Sequence, residues 1–522
     1  MAPGSRPPLA LHVDGRAVEV PDRGQSLLAV LREDLHLTSA KDGCSPQGQC
    51  GCCTVLVDGQ PRVACVTPAR RVVGREIATV DGLAPGRADR WAAACTATGA
   101  SQCGFCTPGI ICRLEGLATK SPDADHAAVE QALLAHLCRC TGWRTILDAW
   151  DLVGGDQAIE GADRDLAAAA GRAEIEGGTR QQVGPQVALG HGGFADDTAP
   201  PDALVAVPDG AGGWAIGETL DEARAAAGKV QGRRTTVDAR PPIEPPPGRW
   251  DAILRTSWVE PAYLEPDAAW CAPGGEPSSP LANGGAFGGK RESPVAAVAR
   301  RLADEHGRPV RVLLNREDTV RVGPKRPPVA GGARADGSGV LRVARTPGIA
   351  EVVARIAPGL RLEEVEVPGP PTSVDLRAAG WAEAVVLLAG ARGSVGAVTD
   401  PLRGATAEAE IGADGTVRVQ VQAGTALDAT VLRSYCTGAA HMALSWVSRE
   451  GIAVDDTGAV HDLTIRSFGI LRATETPPIE VEVLPGDGPP VRGSDAVFAA
   501  VAAAAWLHGG CVPEWPTGQR WR

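Results

Sequence analysis

GCSPQGQCGCCTVLVDGQPRVAC, residues 43 to 65, decides how the amino-terminal part of this chain folds. Three thiols, Cys44, Cys50 and Cys53, lie in a glycine-rich loop, and a fourth, Cys65, arrives only after a hairpin. That hairpin turns at Asp58-Gly59, a pair that favours the left-handed backbone of a two-residue turn. Because the turn stands midway between Cys53 and Cys65, antiparallel pairing brings these two to neighbouring positions beside the loop. Four sulfurs then converge. Cys52 is read as a non-ligand, since Cys50 and Cys53 hold the ligand spacing and adjacent cysteines point apart. Gly48 and Gly51 are expected to let backbone N–H groups approach the sulfurs.

Upstream, LALHVDGRAVEV (residues 9 to 20) alternates apolar Leu9, Leu11 and Val13 with Val18 and Val20 across Asp14-Gly15, a second hairpin signal. SLLAVLREDLHL then places Leu27, Leu28, Leu31 and Leu35 at helical spacing, so a helix can cover one face of the sheet. Two hairpins and one packed helix predict a β-grasp-like unit.

From about residue 82 the pattern turns helical. QCGFCTPG carries Cys103 and Cys106 just before a helix start, with Thr107-Pro108 as cap and first turn. LCRCTG carries Cys138 and Cys140 at the end of another helix, which runs from about His126 with Asp125 as its cap. Antiparallel packing would bring the two pairs together, with an anionic group favoured at the helix start after Cys106. Two quartets of thiolates, one with nearly plant-type ferredoxin spacing, predict two [2Fe-2S] clusters. Five residues rather than four separate Cys44 from Cys50, and the Ser45-Pro46-Gln47 bulge can absorb the extra one. Zinc sites and free buried thiols are the alternatives to weigh. Cys95 and Cys112 read as core thiols.

The chain has 522 residues, with 44% apolar but only 4% aromatic content, so its cores must be built mainly from Ala, Val and Leu. All but Cys271, Cys436 and Cys511 of the 14 cysteines lie in the first 140 residues, which favours metal ligation over a disulfide framework. A net charge of -12 without a basic cluster argues against a nucleic-acid partner. The longest apolar segment, Ala496 to Leu507, is too short to span a bilayer, and no export signal is visible, so the expectation is a soluble, cytoplasmic protein. Residues 152 to 250, including RPPIEPPPGRW, read as a linker or as loops laid over a surface. The remainder mixes β-like runs such as VRVLL and IEVEVL with Ala-rich helical stretches, an α+β pattern. No flavin-domain motif and no GxGxxG fingerprint is visible, so neither FAD nor a nicotinamide is expected on this chain.

Taken in order, GCSPQGQCGCCTVLVDGQPRVAC, SQCGFCTPGI and LCRCTGW resemble the iron-sulfur part of the xanthine oxidase family of molybdenum hydroxylases. Further on, WVEPAYLEPDAAW, GGAFGGK and VRVLLNREDTVRVGPKRPP are similar to consecutive segments of that family's molybdopterin-binding subunit. The resemblance implies a ferredoxin-like domain over residues 1–80, a four-helix [2Fe-2S]-binding domain over 81–155, a linker and the start of the molybdopterin-subunit-like region over 156–245, and a condensed molybdopterin-binding-like region over 246–522. It implies that Cys103, Cys106, Cys138 and Cys140 are molybdenum-proximal and that electrons leave through Cys44, Cys50, Cys53 and Cys65. By the same likeness, Gly285, Phe287, Gly288 and Gly289 would form a loop against a molybdopterin cofactor, to which backbone N–H groups come close. GGAFGGK also satisfies the P-loop spacing from Gly284 to Lys290, but Arg291 stands where a magnesium-binding hydroxyl belongs.

The family's catalytic base is a glutamate in a GxGE-like segment, and here the corresponding stretch reads VRGSDAVFAA. Asp495 is the nearest carboxylate, and capping the helix from about Ala496 is its other reading. The resemblance implies a component passing electrons through both clusters in an enzyme that oxidises a heterocycle or aldehyde. Its partners would be FAD-binding or molybdopterin-binding subunits. The alternative is a non-catalytic electron-transfer subunit that docks a separate molybdenum-containing chain.

Overall fold

The computed structural model describes residues 7–155, 157–161, 164–228, 237–278 and 285–522. Strands β1 (Leu9–Val13) and β2 (Arg16–Val20) form the first hairpin, with Asp14 and Gly15 at φ 49° and 73°, the positive values a two-residue turn demands. β3 (Thr54–Val57) and β4 (Gln60–Val63) repeat the device across Asp58 and Gly59. With β5 (Glu76–Ala78) they complete a five-stranded sheet in the order β2-β1-β5-β3-β4. The leucines from Leu27 onward do face this sheet, but only Leu27–Ala29 is α-helical. Val30–Asp34 widens into a π turn closed by the Leu35 N–H on the Val30 carbonyl at 3.0 Å, which keeps Val30 and Leu31 buried together.

Four helices follow: α1 (Arg87–Thr98), α2 (Thr107–Lys120), α3 (His126–Ala132) and α4 (Arg144–Gly154). Their core holds Trp91, Trp143 and Trp150 with Ile110, Ile111 and Leu114. Asp125 caps α3 by accepting from the Ala128 N–H at 2.9 Å. The residue flanking α2 is Cys106, so Thr107 and Pro108 lie inside the first turn rather than before it.

Residues 156–245 are more than a linker among the described residues. Helix α5 (Leu166–Gly177) and strands β6 (Leu204–Pro208) and β7 (Trp214–Gly217) lie there. After β8 (Ala252–Thr256) come β9 (Ala268–Cys271), α6 (Val295–His306) and β10 (Val310–Leu313). β6 and β7 join β10 and β9 in the sheet β7-β6-β10-β9, against which α6 packs. The proline-rich stretch does lie irregularly over a surface, with Ile243 tucked in at 3% exposure.

β11 (Val329–Ala333), β12 (Gly339–Ala344), β13 (Leu360–Val365) and β18 (Glu514–Trp515) pair with β8 in the order β13-β12-β11-β8-β18, and α7 (Trp381–Arg392) lies against this sheet. The last sheet, β14-β15-β16-β17, uses Val398–Thr399, Thr406–Ile411, Val417–Gln422 and Ile479–Val483. On it pack α8 (Ala429–Ser448) and α9 (Ser494–His508). α9 is apolar on every side and buried from Ser494 to Trp506, as an all-round apolar helix must be. Its alanines let α7 and α8 approach closely. Among the described residues no helix is long and apolar enough to cross a membrane.

Candidate functional site

The β3–β4 ladder ends where the sequence pattern puts it. Thr54 pairs with Val63, the Ala64 N–H reaches the Cys53 carbonyl at 3.2 Å, and the Cys65 N–H reaches the Cys53 sulfur at 3.4 Å. Across the loop the Cys44 sulfur neighbours those of Cys50 and Cys65, and Cys65 in turn neighbours Cys53. The extra residue of the loop is absorbed at Ser45, whose φ of 48° folds the chain back. Gln47 and Gln49 then donate their backbone N–H groups to the Cys44 sulfur at 3.2 and 3.4 Å. Gly48 and Gly51 have other tasks: their missing side chains leave room for Val66 and for the His136 ring.

The second quartet forms two pairs. Cys140 and Cys103 have their sulfurs 3.9 Å apart, and Cys106 neighbours Cys138. The Phe105 N–H points at the Cys103 sulfur at 3.4 Å, and the Thr141 hydroxyl lies 3.1 Å from that of Cys138. The Cys106 sulfur, opposed by burial and helped by Thr141, brings the Cys138 thiol down to about 6. Cys95 presents the contrast: burial alone pushes its thiol up to about 12, so it stays a protonated core residue.

This donor chemistry fits a pair of two-iron clusters. Each quartet supplies four buried thiols, with N–H or O–H groups aimed at the sulfurs that would carry cluster charge. Among the described residues no three His, Cys, Asp or Glu side chains converge on a point suited to one metal ion. A hydrogen bond from the Leu137 N–H to the Cys50 carbonyl at 3.0 Å ties the quartets together, so Cys50 of one is a single contact from the neighbour of Cys138 of the other. Cys52, fully buried, lies between them within electrostatic reach of Cys44, Cys53 and Cys103.

The glycine loop adjoins the second quartet. Gly285 has φ 82°, and a Cβ there would come within 2.8 Å of Arg139 and 3.4 Å of the Cys140 sulfur. Gly284, where the P-loop spacing begins, lies outside the described residues. Lys290 is 2% exposed and donates to Glu265 at 2.6 Å, so its charge is spent inside the protein. The other loop positions are occupied by protein as well. Arg377 stacks 3.4 Å from the centre of the Phe287 ring, a Cβ on Gly288 would strike the Asp375 carbonyl, and Gly289 lies against Pro261.

Asp495 is held in a cage of guanidinium groups: Arg492 at 3.3 Å, Arg377 at 3.4 Å and Arg403 at 3.7 Å. Burial pushes its carboxyl up, but Arg492, Arg377 and Arg403 together outweigh that and leave it below the usual carboxylate range. A general base needs the opposite shift, toward the operating pH. Nor does Asp495 cap α9, which starts one residue earlier at Ser494. Sequence reasoning missed the residue at that helix end. Glu176, from α5, is fully buried, ion-paired with Arg172, and accepts from the Gly493 and Ser494 N–H groups at 2.9 and 3.0 Å.

This reading of Asp495 has a measurable consequence. Asp495→Asn strands three guanidinium groups around one amide, and Arg377 is already brought down to about 10 by burial. Breaking a buried ion network of this kind costs about 3–5 kcal/mol, which denaturant unfolding of the two proteins will read. A cost under about 1 kcal/mol would refute the cage. Because the folded-state value is depressed, the stabilisation is complete above the unfolded carboxylate value of about 3.9 and lost as pH falls through the folded value. The wild-type minus Asp495→Asn difference is therefore flat from pH 5 to 8.

Fold and site together define a protein with two quartets of buried cysteines, each arranged so that it could hold a [2Fe-2S] cluster. Residues 11–78 match the 2Fe-2S iron-sulfur cluster binding domain, 79–151 the [2Fe-2S] binding domain, and 281–338 the molybdopterin cofactor-binding domain. The nicotinate dehydrogenase small FeS subunit of Eubacterium barkeri is 39% identical over 136 residues, which are 26% of this chain and 85% of that protein. The nicotine 6-hydroxylase small subunit of Paenarthrobacter nicotinovorans is 38% identical over 149 residues, 28% of this chain and 90% of that one. The aldehyde oxidoreductase structure from Desulfovibrio gigas aligns with a TM-score of 0.67 at 15% identity, covering 96% of this chain and 97% of that one, a likeness of fold. This chain belongs to the xanthine oxidase family of molybdenum hydroxylases, with two [2Fe-2S]-binding domains and a molybdopterin cofactor-binding domain. Around the described part of that domain's glycine loop, Arg377 stacks on the Phe287 ring and Arg139 abuts Gly285.

Proposed function

We propose that this chain is the electron-relay component of a molybdenum hydroxylase that oxidises a heterocycle or aldehyde, with substrate chemistry carried out on a separate molybdenum-bearing chain. The observation that carries the proposal is the linear order of the parts: the glycine loop against Cys140, the second quartet, the Leu137–Cys50 hydrogen bond, and the first quartet. Each cluster, when bound, supplies one-electron carriage, dividing a two-electron oxidation into two passages. The protein's own part is to hold Cys103, Cys106, Cys138 and Cys140 at one end and Cys44, Cys50, Cys53 and Cys65 at the other. It also keeps both sets from water and aims N–H groups at their sulfurs. Electrons would enter at the end nearer Gly285 and leave beside Cys65, whose neighbour Val66 is 61% exposed, toward a flavin-bearing subunit. We take residues 1–80 and 81–155 as the two cluster domains, 156–245 as the connecting region and 246–522 as the molybdopterin-type region. A cytoplasmic site of action accords with so many reduced thiols.

The match at residues 281–338 favours a second reading, in which this chain itself carries the pterin and oxidises substrate. Metal and pterin analysis of the purified full-length chain separates the two. The relay reading expects about four iron atoms per chain, with neither molybdenum nor pterin retained. Stoichiometric molybdenum with pterin would overturn it in favour of the second.

A further inference from the structure

We propose that Glu450 is a positioning residue for the second cluster, acting through Arg139 to set the charge and placement of the Cys138–Cys140 ligand pair. The inference rests on reading that quartet as cluster ligands. Arg139 stands between the two cysteines in the chain and is 2% exposed. Glu450, also 2% exposed, grips its guanidinium with both carboxylate oxygens, the Nη2 to Oε2 contact being 2.8 Å, while Arg139 Nε donates to the Pro261 carbonyl at 3.0 Å. Glu450 comes from 311 residues further along, just past the end of α8, where its own N–H is fixed on the Ser445 carbonyl at 2.8 Å. The aliphatic part of Arg139 rests against Gly285. One ion pair thus ties the ligand loop to the glycine loop and to the carboxy-terminal half.

The charge balance is specific to this pair. An uncompensated guanidinium buried on the residue between Cys138 and Cys140 would favour the reduced, more negative cluster and so raise its potential. Glu450 cancels that charge. Among the described residues, the carboxylates beside it are already engaged. Glu260, lining the same small cavity as Glu450, is engaged by Lys325 at 2.9 Å, and Glu383 is held by Arg326 through two contacts at 2.7 and 2.9 Å. Arg326 and Arg377 line the same cavity, so loss of Glu450 leaves this wall with surplus positive charge.

The test is an EPR-monitored redox titration of the full-length chain carrying Glu450→Gln, which keeps the side chain's shape and removes its charge. The expected result is an upward shift of the second cluster's midpoint by at least tenfold in its reduction equilibrium, about 59 mV for one electron, with the first cluster unmoved. Glu450→Asp should recover part of the shift. The double variant Arg139→Gln/Glu450→Gln removes both charges and should return the midpoint toward that of the unaltered chain, which a merely structural role would not do. It serves too if the single variant folds poorly. A second-cluster midpoint that stays within tenfold in the single variant, or moves as far in the double variant, overturns the proposal. An unaltered chain with only one cluster signal would instead refute the assignment of the quartet on which it rests.

Discussion

Cys138→Ser is expected to leave a chain with one cluster, about two iron atoms instead of four, and no electron passage from the Gly285 end to the Cys65 end. The expectation follows from where Cys138 stands. Its sulfur is fully buried, neighbours that of Cys106 and contacts the Thr141 hydroxyl, and its thiol is brought down toward the thiolate that iron binds. A serine oxygen in that place holds its proton at any working pH and gives iron a harder, weaker partner. Loss of a group that merely supports a metal ligand costs about 10–100-fold in affinity or activity, so loss of the ligand itself should cost at least about a hundredfold in electron throughput. The first quartet shares no ligand with the second, and its signal should persist at full intensity. EPR of the reduced protein reads both outcomes in one sample. Two intact signals in Cys138→Ser would remove Cys138 from the ligand set and with it the relay as drawn.

How much of this was legible in the chain divides along range of interaction. The hairpins at Asp14-Gly15 and Asp58-Gly59 announce themselves because their turns need backbone angles that few residue pairs adopt, and the structure has both. The meeting of Cys53 with Cys65 follows from the second of these by register alone. Residues 156–245 were opaque for the converse reason. β6 reads LVAVP and is buried along most of its length, with no alternation to distinguish it from an apolar loop, and its parallel partner β10 comes from about a hundred residues further along the chain. The guanidinium cage around Asp495 and the grip of Glu450 on Arg139 are equally invisible, since an exposed ion pair and a buried one have the same letters. The π turn at Val30–Asp34 was hidden because α and π turns share an apolar spacing.

Gly438→Ala should be the most damaging single methyl group in the molecule. Gly438 lies in the middle of α8, where alanine is ordinarily preferred over glycine by about 1 kcal/mol. Propensity therefore predicts a gain. Packing predicts the reverse: a Cβ at Gly438 would fall 1.7 Å from the Cys140 carbonyl oxygen and 2.7 Å from its carbon, and neither backbone has a flexible end to give way. Forcing atoms into a filled core costs about 1–3 kcal/mol and occasionally more, and here the displaced group is the backbone of Cys140 in the second quartet. Destabilisation of at least about 3 kcal/mol in denaturant unfolding is expected, together with preferential loss of the second cluster's EPR signal. Gly171 in α5 supplies the internal control, because a Cβ there would meet nothing within 4 Å. Gly171→Ala should stabilise by up to about 1 kcal/mol and leave both signals intact. The two substitutions are the same chemical change in two helices, so opposite signs can come only from what faces each glycine. If Gly438→Ala proves as benign as Gly171→Ala, α8 does not press on the Cys140 backbone, and the carboxy-terminal half does not hold the second quartet in place.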